Sequence, residues 1–487
     1  MLEEGVALPK YPKGFLIDRF ITHLKSKWPA IAGAKVLLAV SGGADSTALF
    51  HLMLEASRVL GFDMAVAHFD HALRGEESKR DSLFVKDLAK GKGLPFYLGT
   101  GDVRLHAHQK KITLQEAARE LRYNFLHKTA LQIKAPFIAT AHTADDQAEE
   151  VLIRLIRGTS MAGLSGIPAH RDSIIRPLLP FTKKDLLNFL AKRELVFVHD
   201  SSNEKDCYLR NRIRKKLVPA LKDGFNPSIV ETLCRTAELL HEEHQFLDRL
   251  ALELLEEALV ERKVEVLAVL SVEKLKKSDS VLRRRAFMQL LSDWPQTKRL
   301  ILREHLEALN RLVDGNGVVS AETVLPAGLI ARRSYGKLVL ARYTYWDQFK
   351  NGCYEIEVCG PGQFDLPDAL GKLDITLCER PLSFENSYFP RVLWVSAQKV
   401  RFPMVLRTRQ RLDTFWPLNR NGQRRLKKFL INKKVSKYAR SSLPVLADGN
   451  EIVAVAGLEV SQLYRVEEKD EKVLRIEWVD CPLWIYG

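Results

Sequence analysis

The clearest signal along the chain is a short apolar run, Val36-Leu37-Leu38-Ala39-Val40, introduced by Lys35. It has strand length and no polar alternation, as a strand covered on both faces of a parallel sheet must have. A Gly-rich turn follows at 41–46, and 47–54 continues with helical character. Residues 64–67 and 136–140 repeat the buried-strand pattern. Between and after them, 114–126 and 145–156 carry helix formers with charge partners at i, i+4. Strands that alternate with helices need crossover connections, so this part predicts an α/β fold with a parallel, Rossmann-like sheet.

The pattern changes after about Pro219. Residues 230–263 are rich in Leu and Glu, with Leu240, Leu247, Leu250, Leu254 and Ala258 at helical spacing. Residues 280–291 and 302–312 repeat that amphipathic style. From about 350, short β-like runs (354–358, 452–455) alternate with Gly and Pro breaks. The expected organisation is a catalytic-type α/β domain over 1–219, a mainly helical module over 220–345 and a small α+β domain over 346–487.

A length of 487 residues is too great for one ordinary core, and 46% apolar content excludes global disorder. The formal charge of +15 favours a polyanionic partner, because each Lys or Arg placed on a phosphate releases counterions. No stretch approaches the apolar length a membrane helix needs, and the acidic start Met1-Leu2-Glu3-Glu4 leads into no signal-like segment. A cytoplasmic protein with no membrane partner is expected. The six cysteines form no C-x-x-C pair, which leaves a zinc ribbon, a redox pair and an iron–sulfur site unsupported.

Ser41-Gly42-Gly43-Ala44-Asp45-Ser46 joins the first strand to its helix. Ligands of open parallel sheets bind at the carboxyl ends of strands. Two glycines let backbone N–H groups and a helix N-terminus approach an anion, and the hydroxyls of Ser41, Ser46 and Thr47 can add donors. There is no Walker lysine and no G-x-G-x-x-G spacing. The loop resembles the PP-loop, SGGxDS, of the ATP pyrophosphatase superfamily, whose members cleave ATP between the α- and β-phosphates. A Gly-Gly turn capped by Asp45 is the purely structural alternative.

Three further segments narrow the resemblance: 68–78 (HFDHALRGEES), 115–123 (QEAARELRY) and 139–149 (ATAHTADDQAE). With Arg210-Asn211-Arg212-Ile213-Arg214 and the C-terminal segments 407–417, 425–429, 443–444 and 457–458, they are similar to the tRNA(Ile)-lysidine synthase family across nearly the whole chain. Leu412 stands where that family usually has Gly, Ala72 and Glu150 replace the usual Gly and Thr, and Thr143 replaces a frequent second His. The resemblance implies a PP-loop ATPase domain followed by RNA-binding parts. It also implies a reaction in which the wobble cytidine of a tRNA(Ile) with a CAU anticodon is adenylated by ATP with Mg²⁺, and free L-lysine then displaces AMP. Ser41, Gly42, Gly43, Ala44, Asp45, Ser46, His68, Asp70, His71 and Arg74 are its expected ATP-binding residues. Asp45 is expected to orient the loop or hold the metal.

Lysine arrives as an ammonium, so a carboxylate can both recognise it and take its proton. Asp146 and Glu149 lie three apart at a helix start and share a neighbourhood. With Arg122, whose fork suits the lysine carboxylate, and His142, they form the expected lysine site. A solvated helix face is the bland reading of the same charges. His68, Asp70, His71 and His142 also raise a zinc site, but on an extended segment His68 and His71 point to opposite faces.

Between 401 and 440 stand thirteen Lys and Arg residues, opposed only by Asp413 and interleaved with Phe415, Trp416 and Tyr438. That mixture suits RNA, the cations on phosphates and the rings on bases. Arg407, Arg409, Arg424, Arg425, Lys427 and Lys428 are the expected tRNA contacts here, with Arg283 of the Arg283-Arg284-Arg285 run and with Arg210 and Arg214. Consecutive Arg283–Arg285 fan around a helix, so not all can face one groove. Two rivals stay open: a PP-loop tRNA thiolase, and a noncatalytic RNA-binding protein that retains a nucleotide fold. Oligomeric state, a homodimer included, is not legible.

Overall fold

The computed structural model describes residues 16–71, 76–198, 209–263, 265–294, 297, 300–315, 320–349, 353–367, 370–381, 384, 392–419, 422–482 and 485. They fall into two compact units that divide between residues 245 and 246.

The first unit is built on a sheet of β1 (Lys35–Ala39), β2 (Asp63–Asp70), β3 (Phe96–Thr100), β4 (Phe137–Ala139), β5 (His170–Arg171) and β6 (Ile174–Ile175), in the order β3-β2-β1-β4-β6-β5. All neighbours pair parallel except β5 with β6. Alternation along β1 sends Val36 and Leu38 to one face and Leu37 to the other. Helices α1 (Leu16–Lys27), α2 (Ala44–Leu60) and α8 (Lys183–Lys192) cover the first face through Phe20, Leu24, Phe50, Met53, Leu186 and Leu190. Among the intervening helices α3 (Glu76–Lys90), α4 (Val103–Lys110), α5 (Leu114–Gln132), α6 (Ala144–Arg157) and α7 (Met161–Leu164), α5 covers the second face through Leu126 and Ala130. Burial on both sides is why β1, β2 and β4 read as apolar runs.

Helix α6 carries a second apolar stripe, Ala148 and Leu152, that packs on Ile213, Val218 and Val230. Those residues follow α9 (Leu209–Arg212): Ile213 in a π-helical turn at Ile213–Leu217, Val218 in α10 (Val218–Gly224) and Val230 in the long α11 (Ile229–Ala258).

The second unit begins within α11. The expected helices of this stretch are present as α13 (Ser280–Ser292) and α14 (Arg303–Asp314), after a short α12 (Val272–Lys276). The structure adds a five-stranded antiparallel sheet that the pattern does not predict: β7 (Leu259–Lys263), β8 (Val266–Ser271), β9 (Ser320–Leu325), β10 (Leu329–Ser334) and β11 (Lys337–Arg342), ordered β7-β8-β11-β10-β9. Its Ala268, Leu270, Ala331, Leu338 and Leu340 pack against Phe287, Leu290 and Leu309 of the helices. Two more antiparallel sheets follow. One contains Glu355–Val358, Met404–Thr408, Pro444–Asp448 and Glu451–Val455, the other Lys372–Glu379, Val392–Ser396 and Lys472–Val479. They share one core, including Val358, Leu406, Val445, Leu373, Ile476 and Trp478. No helix among the described residues is long and apolar enough to cross a membrane.

Candidate nucleotide site and its charged surroundings

In the order β3-β2-β1-β4, the chain leaves β1 toward β2 on one side and β4 lies on the other. The loops after β1 and β4 therefore part in opposite directions and open a crevice at their carboxyl ends. The β1 loop is residues 40–43, and the β4 loop is 140–143. Sequence motifs that lie far apart meet there because of strand order alone.

Gly42 takes φ +95°, a backbone conformation that side chains rarely adopt. Ser46 fixes the turn: its Oγ accepts from the N–H of Ser41 (3.2 Å) and Gly42 (3.1 Å) and donates to the Gly43 carbonyl (3.0 Å). Thr47 Oγ1 donates to the Gly42 carbonyl (3.1 Å). Ser46 and Thr47, expected as anion donors, are buried and work inside the loop instead. Ser41 Oγ lies 3.1 Å from Ser46 Oγ at the exposed edge. The helix cap at Gly43 has no side chain to offer, so the leading N–H groups of α2, at Ala44 and Asp45, remain for an anion. His68 Nδ1 lies 2.9 Å from the Val40 carbonyl and ties the end of β2 to the start of the loop. It is 6% exposed, which makes it a support of the loop. Asp70 ends β2 and His71 follows, its ring edge-on to Phe69 at 5.0 Å. Arg74 lies outside the described residues.

On the opposite wall, Thr143 caps α6 in a reciprocal box with Asp146, whose Oδ2 accepts from the Thr143 N–H and hydroxyl, both at 3.0 Å. One carboxylate oxygen of Asp146 is thus spent on the helix. The other, Oδ1, lies 3.9 Å from Lys183 Nζ and 3.4 Å from Arg214 Nη2. Lys183 Nζ is also 3.9 Å from Asp45 Oδ2, so one ammonium stands between the loop carboxylate and the α6 carboxylate. Lys183 is held there as the first residue of α8, its N–H donating to Asp145 Oδ2 at 2.7 Å. It is not among the residues expected from sequence.

Burial and these charges together set the titration of Asp45. Burial pushes its carboxyl from the usual 3.8 to about 6; Lys183 pulls it down, Asp146 pushes it up again, and Arg214 and Asp145 act in opposite senses behind them. In Asp146 burial also works upward, but Lys183, the Thr143 N–H, His142 and Arg214 outweigh it and lower the pKa.

Glu149 is 2% exposed and takes Arg214 in a two-point pair, Nε–Oε1 2.5 Å and Nη2–Oε2 3.0 Å. Arg210 Nη2 donates to Glu150 Oε2 at 2.6 Å. Arg210 and Arg214, expected at an RNA surface, are here partners of α6, because two acidic side chains of that helix lie within their reach. Arg214 sits on the π-helical turn. Glu149, expected at the lysine site, is closed off by that pair.

Three cations gather on the other side of His142. Arg119 and Arg122 lie over the Tyr123 ring at 4.9 and 5.4 Å, and Arg176, 3% exposed, donates to the Pro168 carbonyl at 2.6 Å. Burial lowers the Arg122 pKa, with Arg119 adding repulsion. Burial, then Arg176, pushes His142 down to about 3, so its imidazole is neutral near pH 7. His142 Nδ1 lies 3.0 Å from Thr140 Oγ1. Acidic groups (Asp45, Asp145, Asp146) thus cluster around Lys183 at the start of α6 and α8, and basic ones (Arg119, Arg122, Arg176) act on His142. That division suits a zwitterionic ligand with its ammonium on one side and carboxylate on the other.

In the second unit, two arginines expected at the RNA face are interior. Arg283 is 4% exposed and is held by Asn310 Oδ1 (3.1 Å) and Asp314 Oδ1 (2.6 Å). Its neighbours Arg284 and Arg285 pair with Glu307 and Asp248, so the run does fan around α13. Arg407 makes a two-point pair with Asp413 (2.9 and 3.0 Å), the single acid of its tract. Phe415 is also buried, against Phe429 at 4.8 Å. Arg409 is half-buried, its Nε 3.4 Å from the Arg440 carbonyl. By contrast Arg424, Arg425, Lys427 and Lys428 are exposed, while Leu426, Phe429 and Leu430 of the same segment point inward. Residues 424–430 are thus an amphipathic stretch whose exposed side chains are all cationic. Leu412 turns its side chain to solvent, 78% exposed.

The family described as the PP-loop domain matches residues 17–221, and that described as the TilS substrate C-terminal domain matches residues 404–478. A tRNA(Ile)-lysidine synthase of Geobacter sulfurreducens is 34% identical over 445 residues, covering 89% of this chain and 91% of the relative. One from Dehalococcoides mccartyi is 30% identical over 480 residues, covering 95% and 99%. One from Caldanaerobacter subterraneus is 28% identical over 444 residues, covering 91% and 93%.

Proposed function

The chain belongs to the tRNA(Ile)-lysidine synthase family, and from that membership we propose how its residues divide the work. It is an ATP-dependent ligase that modifies tRNA by forming lysidine on tRNA(Ile), with a PP-loop domain for ATP. In the proposed course, ATP lies with its phosphates on the loop 41–46 and the N-terminus of α2. The C2 oxygen of the wobble cytidine in a CAU anticodon attacks the α-phosphorus, and diphosphate leaves. The ε-amine of free L-lysine then attacks C2, loses its extra proton, and expels AMP as the C2–O bond breaks. The protein works in the cytoplasm, where its tRNA substrate is.

The observation that carries this reading is Lys183 standing 3.9 Å from both Asp45 and Asp146. An ammonium is already bound where the α6 carboxylate would receive the ammonium of lysine. When a triphosphate fills the loop, Lys183 has a stronger anion to turn to, and Asp146 Oδ1 becomes available to substrate. Arg122, with Arg119 beside it, takes the lysine carboxylate. Asp145 and Thr143 position the site through helix caps, and the Arg214–Glu149 pair braces α6 behind it.

The residues also fit Mg²⁺. Asp45 and Asp146 share one ammonium, and the Asp45 carboxyl is raised to about 6, so a further cation is electrostatically favoured there. No group of three or more ligating side chains occurs among the described residues. Asp45 is the side chain that would hold the ion. Bound there, Mg²⁺ supplies charge neutralisation for the departing diphosphate.

Purified protein given ATP, a tRNA(Ile) transcript with a CAU anticodon and [¹⁴C]lysine is expected to label the tRNA, with AMP and diphosphate formed in step. Incorporation of sulfur in place of lysine, or tRNA binding with no AMP, would replace this reading with a thiolase or a noncatalytic binder. Neutralising Arg424, Arg425, Lys427 and Lys428 together is expected to weaken tRNA binding. The log K against log salt slope should become shallower by roughly 3, since each phosphate left without its cation removes about 0.7–0.9. An unchanged slope in filter binding would remove this face from the RNA interface.

A further inference from the structure

The second unit contains a cavity of about 540 Å³ lined by, among others, Glu322, Arg332, Trp346, Lys437, Tyr438 and Ser441. Its floor is a cross-strand pair: Arg332 on β10 stands opposite Glu322 on β9, and Arg332 Nε meets Glu322 Oε2 at 2.9 Å. The guanidinium lies over two rings at once, Trp346 at 4.4 Å and Tyr438 at 4.3 Å. Two aromatic contacts and one ion pair hold it in place, and it is only 7% exposed. Its terminal Nη groups have no hydrogen-bond partner among the described residues. The buried Tyr438 hydroxyl has none either. Lys437 adds a second cation at 4.7 Å from the Tyr438 ring and is itself exposed.

We infer that this cavity is a nucleotide-binding pocket for the RNA substrate, with a phosphate on the Arg332 fork and Lys437. Two cations against one carboxylate leave the pocket net positive. With its Nε taken by Glu322, the guanidinium keeps its two Nη groups as donors, a fork that phosphate oxygens accept. The volume is that of a pocket for a small organic ligand, more than a bare anion needs, so sugar and base enter with the phosphate. An aromatic-walled, cationic pocket suits a nucleotide that has left a helix, since a paired one is shielded in its stack. This inference rests on tRNA being the substrate, and it adds a specific contact outside the catalytic crevice.

The test uses the full-length protein and tRNA(Ile), comparing wild type with Arg332→Lys, Lys437→Ala and Ser441→Trp. Arg332→Lys keeps the charge and removes the fork. Lys437→Ala acts at the exposed rim and leaves the core intact. Ser441→Trp fills the cavity without touching a charge. Each is expected to raise the tRNA Kd about tenfold. All three should lose protection at the same nucleotide in a ribonuclease footprint, while saturating tRNA restores the wild-type adenylation rate. Lys437→Ala should also make the salt slope shallower by about one. Wild-type affinity and footprint in Lys437→Ala and Ser441→Trp would overturn the inference even if Arg332→Lys failed to fold. So would inorganic phosphate that protects the pocket while leaving the tRNA footprint unchanged, which would mark a site for free phosphate. If wild-type protein bound no tRNA, the functional reading itself would fall, a separate outcome.

Discussion

Asp45→Asn is expected to lower diphosphate release from ATP by about a thousandfold, the scale of removing one electrostatic partner from a transition state. The Asn side chain has nearly the same shape, so α2 and the loop keep their geometry, which Ser46 and Thr47 maintain. What disappears is the one loop carboxylate that faces Lys183 and would hold the metal. The wild-type pH profile carries the same signature. Because the Asp45 carboxyl is raised to about 6, it is protonated below that pH, and adenylation should fall as pH drops through 6. The stability effect has the opposite direction. An acid whose folded pKa lies above its usual 3.8 favours folding while protonated, so the free protein should lose stability as pH rises from about 4 through 6. Mg²⁺ with ATP should restore it, giving a larger thermal shift at pH 7.5 than at pH 5. Asp45→Asn should abolish that difference, and a variant with the wild-type pH dependence of the shift would show that another group titrates.

The second large effect is expected at Asp146→Asn. The Asn side-chain oxygen can still accept from the Thr143 N–H, so the cap of α6 survives. The negative charge that faces Lys183 and Arg214 does not. Adenylation should therefore change by less than about tenfold, while lysine transfer falls by roughly 10²–10³, the range for loss of a positioned proton acceptor. Adenylated tRNA should accumulate, visible as ³²P from [α-³²P]ATP that stays on RNA. Loss of adenylation ahead of lysine transfer would move Asp146 out of the lysine site.

The legible parts of the fold are those whose burial is local. Strands β1, β2 and β4 lie covered on both faces and read as apolar runs. Strand β3 escapes the pattern because it has a half-exposed Tyr97 and an exposed Leu98, and β5 and β6 are two residues long. The antiparallel sheet of the second unit escapes it for a different reason. Segments such as Lys337–Arg342 are Leu- and Ala-rich, the same residues that fill helices, and their strand state comes from pairing with β8 and β10.

Within the site, the loop 41–46 is legible because its function is built into consecutive residues. Lys183 is not. It reaches Asp45 only because α8 packs beside α2 and is capped at its start by Asp145. The Thr182-x-x-Asp185 box marks a helix start but says nothing of where that helix lies. The arginines show the same limit from the other side. Arg214, Arg283 and Arg407 look like free cations in sequence, and each is paired by an acid that folding brings to it. Exposed Arg424 and Lys427 are legible because their inward neighbours Leu426 and Phe429 alternate with them at helical spacing.

The most direct test of the crevice as an adenylation site is a single incubation of wild-type protein with tRNA(Ile), Mg²⁺ and ATP labelled separately at the α- and γ-phosphates, with lysine withheld. The α-label is expected to become bound to tRNA and the γ-label to leave as diphosphate. Label released as orthophosphate, with none on the RNA, would contradict it.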